Sequence, residues 1–189
     1  MKATTTTSWC RRDTPLGTVR MAARGGALLG IWFDGQKYDA KDDATWREAP
    51  GDPVLREAGR QLDEYFAGRR ASFDLALAPG GTAFQQRVWR AIAQVPAGET
   101  ASYGEIAKRL GCPKAVRAVG AAIGRNPLIV VVPCHRIVGA SGALTGYAGG
   151  LARKEALLAL ERATAGRAAG TTGDLWRDGA ATHALAPPA

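Results

Sequence analysis

The sequence predicts an α/β protein of two domains: a small sheet with one helix, then a mainly helical half containing a helix-turn-helix. Three observations predict it. At 189 residues the chain holds one to two domains of ~100–200 residues each. Hydrophobic residues make up 46% and charged residues 22%, near a globular average, which excludes disorder as the overall state. Pro79-Gly80-Gly81 is a break in the chain, and it divides residues 1–80 from residues 81–165.

Residues 1–12 are rich in threonine, lack the apolar core of a secretory signal and read as a frayed start. Thr14-Pro15-Leu16-Gly17 is a turn. Residues 20–23 and 27–33 are strands around the Gly25-Gly26 turn. Residues 34–52 are polar and irregular. Residues 53–67 form an amphipathic helix, because Val54, Ala58, Leu62, Tyr65 and Phe66 recur at helical spacing. Pro53 suits its first turn and Gly68 its end. Residues 72–77 read as a further short strand.

In the second half, residues 82–95 are a helix. Thr82 and Gln85 fit a capping box, and Phe84, Val88, Trp89, Ile92 and Val95 form the apolar stripe. Residues 103–110 and 114–123 are two short helices joined by Gly111-Cys112-Pro113, a helix-turn-helix. The second of them is alanine and glycine around Arg117, so it can approach another surface closely. Residues 128–132 are five consecutive apolar residues, a buried strand stopped by Pro133. Residues 139–150 are a glycine-rich loop and residues 151–162 the last helix. Residues 166–189 have no periodicity and read as a disordered tail. No stretch reaches the ~18 apolar residues of a membrane helix, and there is no internal repeat.

Charge is uneven along the chain. The net charge is +8, yet residues 1–80 carry 12 Lys/Arg against 11 Asp/Glu, and residues 81–165 carry 11 against 4. A polyanion is the natural partner of such a segment, the alternative being a solubilising surface.

Cysteine usage is sparse: Cys10, Cys112 and Cys134. An odd set makes no disulfide framework and points to a reducing, cytoplasmic compartment. Zinc-pair spacing is missing among Cys10, Cys112, Cys134, His135 and His183, so no metal and no cofactor is expected. Cys134 and His135 stand side by side at the end of the apolar run, as an activated nucleophile requires. A free thiol, pKa ~8.5, is mostly protonated at neutral pH, and a neighbouring imidazole can take that proton. The imidazole needs an orienting partner, and residues 81–165 offer Glu99, Glu105, Glu155 and Glu161.

Pro133-Cys134-His135-Arg136-Ile137-Val138 resembles the active-site signature of the O6-alkylguanine-DNA alkyltransferases (methylated-DNA–protein-cysteine methyltransferases). Phe84-Gln85-Gln86-Arg87-Val88-Trp89, Ser102-Tyr103-Gly104, Arg117-Ala118-Val119-Gly120, Asn126-Pro127 and Gly146-Tyr147-Ala148-Gly149-Gly150 are also similar to that family, in its order. The resemblance is strong over residues 81–162 and weak over 10–80. It implies a ribonuclease-H-like first domain and a winged-helix-like second one. It also implies direct-reversal repair, with one alkyl group moved irreversibly from O6 of guanine in double-stranded DNA to Cys134. O4 of thymine is a second candidate substrate, and no protein or membrane partner is implied.

The implied roles follow residue by residue. Cys134 is the acceptor, His135 its base through a water, and Glu161 the partner of His135. Asn126 holds the turn into Cys134, and Tyr103 donates to the guanine ring and helps turn the nucleotide out. Arg117 fills the gap left in the stack, with Lys114, Ala115, Ala118 and Ser102 completing the DNA contact. Ile137, Tyr147, Ala148 and Gly149 line the guanine pocket. Chemistry agrees with these roles. Thiolate suits saturated carbon, donors to the ring stabilise the guanine leaving group, and extrusion from the duplex costs a few kcal/mol. A helix of small residues suits the minor groove better than base-reading Asn or Gln would.

There are departures. Ala148 stands where some members carry a serine that reaches the guanine oxygen, and Leu160 where a histidine is frequent. Some members bind zinc in the first domain, but Cys10 is the only Cys or His before Cys112. Two rival classes are a non-catalytic binder of alkylated DNA, or regulator, and a thiol hydrolase built on Cys134 and His135. Trp9, Trp32, Trp46 and Trp176 carry no functional signal.

Overall fold

The computed structural model describes residues 6–39, 45–164 and 176. Its order is β1 (Ser8–Arg12), β2 (Val19–Arg24), β3 (Ala27–Phe33), β4 (Arg47–Glu48), α1 (Pro53–Phe66), α2 (Ala83–Ala93), β5 (Ala101–Ser102), α3 (Tyr103–Arg109) and α4 (Val116–Gly124). A 3-10 turn (Cys134–Arg136), β6 (Ile137–Val138) and α5 (Leu151–Thr164) complete it. Mixed α/β architecture, with the sheet first and the helices after, is the predicted class.

The first sheet has the order β3-β2-β1-β4, with β1–β2 and β2–β3 antiparallel and β1–β4 parallel. Period-2 alternation, shifted once where the β2–β3 register slips between Ala22 and Ala23, divides its residues between two faces. Cys10, Val19, Met21, Ala23, Leu28, Ile31 and Phe33 join the main core, while Ala22 and Trp32 pack with Trp9, Leu29 and Trp46 in a separate cluster. Helix α1 lays Leu55, Ala58, Leu62 and Tyr65 on the core side. Asp52 caps it, accepting from the backbone N–H of Val54 and Leu55. Gly68 follows with φ +67°, a conformation glycine adopts without steric cost.

Capping boxes start two helices of the second half: Thr82 with Gln85 on α2 and Ser102 with Glu105 on α3. Buried Trp89 of α2 donates its indole N–H to the Ala122 carbonyl of α4 at 2.8 Å, tying these helices together. A single cluster of buried side chains runs from Cys10 and Met21 through Val119 to Leu157. The two halves therefore share one core.

The strands around Gly25-Gly26 and all five predicted helices are present, with ends shifted by one to two residues. Three expectations need correction. Residues 8–12 are not frayed: they form β1, because pairing with β2 buries Cys10 beneath α1. Residues 72–77 form no strand and contribute isolated bridges at Leu77, one of them to Leu28. Residues 128–132 are buried but fold as turns, with one bridge from Leu128 to Ile31. Asn126 dictates this. Its Oδ1 accepts from Leu128 N–H at 3.0 Å, and its Nδ2 donates to the Val132 carbonyl at 2.8 Å. A side chain supplies the partners that a neighbouring strand would have supplied. Val130 pays for the tight path with φ +67°, an outlier for a β-branched residue. The predicted tail lies outside the described residues except for Trp176, which bridges to Leu77 and carries the Arg90 guanidinium 5.4 Å over its ring.

Candidate active site

The folded loop 126–133 delivers Cys134 to the first position of the 3-10 turn. Sγ is buried, and Asn126 Nδ2 lies 3.1 Å from it. Burial pushes the thiol pKa up to about 11; the Asn126 hydrogen bond, the Lys154 charge and nearby backbone N–H groups pull the other way. At neutral pH the resting group is therefore a thiol, set among donors that favour the thiolate once a proton leaves.

His135 is fully buried. Its Nε2 lies 2.9 Å from Glu161 Oε1 on α5, so the ring donates there and Nδ1 is the free acceptor. No protein group reaches His135 Nδ1 or the buried Tyr147 hydroxyl among the described residues, and the two rings meet edge-on at 6.5 Å. Burial holds the His135 pKa below its ordinary value, with Glu161 opposing and Arg136 and Lys154 assisting. Burial alone would raise the Glu161 carboxyl, but His135 and Arg136 hold it far below the usual carboxylate range. The resting state is thus neutral His135 beside ionised Glu161.

Two charged residues of this centre escaped sequence reasoning. Arg136 clamps Glu161 with Nη2 at 2.8 Å and Nε at 2.9 Å, and is itself buried. Lys154 is buried on the same face of α5 as Leu157, Leu158 and Glu161. Its Nζ donates to the carbonyls of Ile137 and Thr145, fixing the far wall of the site. The signal was legible: Lys154 and Glu161 interrupt an apolar i, i+3, i+4, i+7 stripe.

The predicted pocket residues gather around this centre. Ile137 pairs with Ala101 in the short parallel β5–β6 sheet. Tyr147, Ala148 and Gly149 form the opposite loop, tied to the turn after β3 by Lys37 N–H to the Ala148 carbonyl at 3.1 Å. Arg153 donates to the carbonyls of Leu16 and Gly149 and lies 4.4 Å over the Phe33 ring. A Cβ at Gly149 would fall 2.7 Å from the Tyr147 ring and 3.0 Å from Phe33, so only glycine fits. Tyr103 points its hydroxyl at the carbonyls of Thr145 and Gly146, at 3.5 and 3.4 Å. These contacts are long for O–H donors, which leaves the hydroxyl available.

The predicted DNA-contact residues sit apart from the thiol, on the surface. Helix α4 buries Val119, Ala122 and Ile123 and exposes Val116, Arg117, Ala118 and Ala121. Lys114 is exposed and Ala115 half-buried at its start. The Arg117 guanidinium has no partner among the described residues. Ser102 is engaged as the N-cap of α3, its Oγ accepting from Glu105 N–H at 3.1 Å. No group of three or more His, Cys, Asp or Glu side chains among the described residues could hold a metal ion. No described helix is long and apolar enough to cross a membrane.

Comparison with known proteins gives a consistent answer over the same residues. Two family models match: the 6-O-methylguanine DNA methyltransferase ribonuclease-like domain over residues 4–79, and the DNA binding domain of the same family over residues 83–163. A methylated-DNA–protein-cysteine methyltransferase of Mycolicibacterium paratuberculosis is 50% identical over 150 residues, 79% of this chain and 89% of that protein. One from Methanosarcina acetivorans is 50% identical over 149 residues, 79% of this chain and 94% of that protein. Among solved structures, Mycobacterium tuberculosis OGT in complex with DNA superimposes with a TM-score of 0.77 at 46% identity, covering 83% of this chain and 94% of that one. The chain therefore belongs to the 6-O-methylguanine DNA methyltransferase family.

Proposed function

We propose that this protein repairs DNA by direct reversal, moving an alkyl group from O6 of guanine to Sγ of Cys134 once per molecule. The observation that carries this reading is the buried series Cys134, His135 and Glu161. It holds a protonated thiol beside a neutral imidazole whose free nitrogen is an acceptor and whose other nitrogen is fixed by a carboxylate.

The step balances as follows. The Cys134 proton passes to His135 Nδ1 through a bridging water, and Glu161 stabilises the imidazolium. Sγ attacks the alkyl carbon, the S–C bond forms, and the C–O6 bond breaks with its electron pair leaving on guanine. Tyr103, donating to the ring, stabilises that charge. The ring takes up one proton as guanine is restored, and His135 returns to neutral. The product is a thioether that no residue in the site can cleave, so the protein is consumed.

Access to O6 demands that the nucleotide leave the stack. Helix α4 supplies the means: Ala118 and Ala121 permit close approach to the minor groove, and unpartnered Arg117 occupies the gap. Lys114, Ala115 and Ser102 border that contact. Ile137, Tyr147, Ala148 and Gly149 receive the base. Residues 1–80 act as the scaffold domain and 81–165 as the alkyl-transfer domain. An intracellular site of action, on the chromosome in the cytoplasm, is the reading a DNA substrate supports.

Cys134→Ala tests the reading. With a duplex carrying one O6-methylguanine, the variant should transfer nothing yet shift the duplex in a gel as wild type does. Repair by the variant would remove Cys134 from the mechanism. A wild type that binds and never transfers would make this a binding protein.

A further inference from the structure

Glu161 does not depend on His135 and Arg136 alone. Tyr65, 96 residues earlier on α1, donates its hydroxyl to Glu161 Oε1 at 2.8 Å. That is the same oxygen that holds His135 Nε2 at 2.9 Å. The other oxygen, Oε2, takes Arg136 Nε at 2.9 Å and the Gly98 N–H at 3.3 Å. Tyr65 is buried, with its ring set against Phe66 at 5.4 Å and Phe73 at 5.5 Å. The hydroxyl is therefore aimed by packing rather than free to turn.

We infer that Tyr65 is a positioning residue for alkyl transfer: its hydroxyl fixes the Glu161 oxygen that holds the His135 ring and, by sharing that oxygen, limits how strongly Glu161 favours the protonated imidazole. The inference rests on His135 being the base for Cys134. Burial and the Glu161 charge push the Tyr65 phenol well above its usual range, so it is a donor throughout the working pH. The charged and titratable groups facing the pair are Arg136 from the 3-10 turn, Lys154 from α5, Cys134, Tyr147 from the glycine-rich loop and Tyr65 from α1. Arg136 still pairs the carboxylate when the phenol oxygen is removed. The balance between Glu161 and His135 is what changes. With one donor fewer on Oε1, the carboxylate favours imidazolium more, and His135 protonates at higher pH.

The test is Tyr65→Phe in the full chain, which keeps the ring contacts. His183→Gln is added to both wild type and variant, leaving His135 as the sole histidine. Two quantities are read: the His135 titration midpoint by NMR in DNA-free protein, and the single-turnover transfer rate against pH. Both the midpoint and the acid limb should move up by about 0.5 pH unit or more, with the rate at low pH falling several-fold and the alkaline plateau changing less. Placing 3-fluorotyrosine, a stronger donor, at position 65 should move the midpoint back to the wild-type value or below it. Midpoints and limbs that superimpose on wild type in a chain that transfers normally would overturn this inference alone. A wild type that transfers nothing would overturn the underlying reading, and this inference with it.

Discussion

The reaction centre and the α4 surface are built on opposite terms. Around Cys134 the charged groups are buried and paired: Glu161 with His135 and Arg136, and Lys154 with two carbonyls. On α4 the functional atoms are exposed, and the Arg117 guanidinium has no hydrogen-bond or ion-pair partner among the described residues. Chemistry in a dry site needs its dipoles fixed before the substrate arrives. A surface that must accept any sequence around a lesion needs small side chains and mobile charge. The centre therefore couples function to stability, whereas the α4 surface separates them.

The largest test of that contrast is Glu161→Gln. It leaves Arg136 as a buried charge without its carboxylate, a change that costs about 3–5 kcal/mol. Transfer should also slow by ~100-fold or more, because His135 loses the group that stabilises its imidazolium. Denaturant melts and single-turnover assays read the two losses, and a loss of rate without loss of stability would break the coupling. Arg117→Ala should do the reverse. Unfolding free energy should stay within about 0.5 kcal/mol of wild type, while transfer at saturating duplex falls on the order of 10-fold or more as flipping loses its plug.

Acid sharpens the comparison within the centre. His135 has a lowered folded pKa, so the unfolded chain takes up its proton first and stability falls once pH drops below ~6.5. Glu161 is likewise held low. Its contribution is whole above the ordinary carboxylate value of ~4.3 and is lost as pH falls below it. Acid unfolding should begin near the first value and steepen near the second. His135→Gln should remove the first phase and leave a smaller second one, sustained by Arg136 on Glu161, which titration of unfolding free energy against pH would reveal. The smallest effect belongs to Lys114→Ala. If Lys114 meets a phosphate, the slope of log affinity against log salt should become shallower by ~0.9, with transfer of bound DNA unchanged.

Local rules made much of this molecule legible. The capping box at Thr82 and the stripe of α1 are short-range signals, and they placed those helices; the second box, Ser102 with Glu105, obeys the same local rule. The alanine-glycine helix around Arg117 and the Cys134-His135 pair were equally plain, being contiguous. What escaped depends on contacts between distant parts of the chain. Residues 8–12 carry a weak strand pattern and become β1 only because β2 and α1 provide partners. The apolar run 128–132 has the composition of a strand, yet the Asn126 side chain turns it into a compact loop. Periodicity cannot report a side chain that replaces a strand. Residue types left four acids open as partners of His135, and the resemblance selected Glu161, where the hydrogen bond is found. Tyr65 read as ordinary core, since nothing near it in sequence marks a hydroxyl that reaches α5.

Central to all of this is that Cys134 accepts the alkyl group and is used once. The most direct measurement is the intact mass of the purified protein after incubation with excess duplex containing one O6-methylguanine, followed by mapping of the modified peptide. The account predicts a gain of one CH2 unit, on the peptide containing Cys134, saturating at one per protein. An unchanged mass, with Cys134 reduced and the duplex bound, would contradict it.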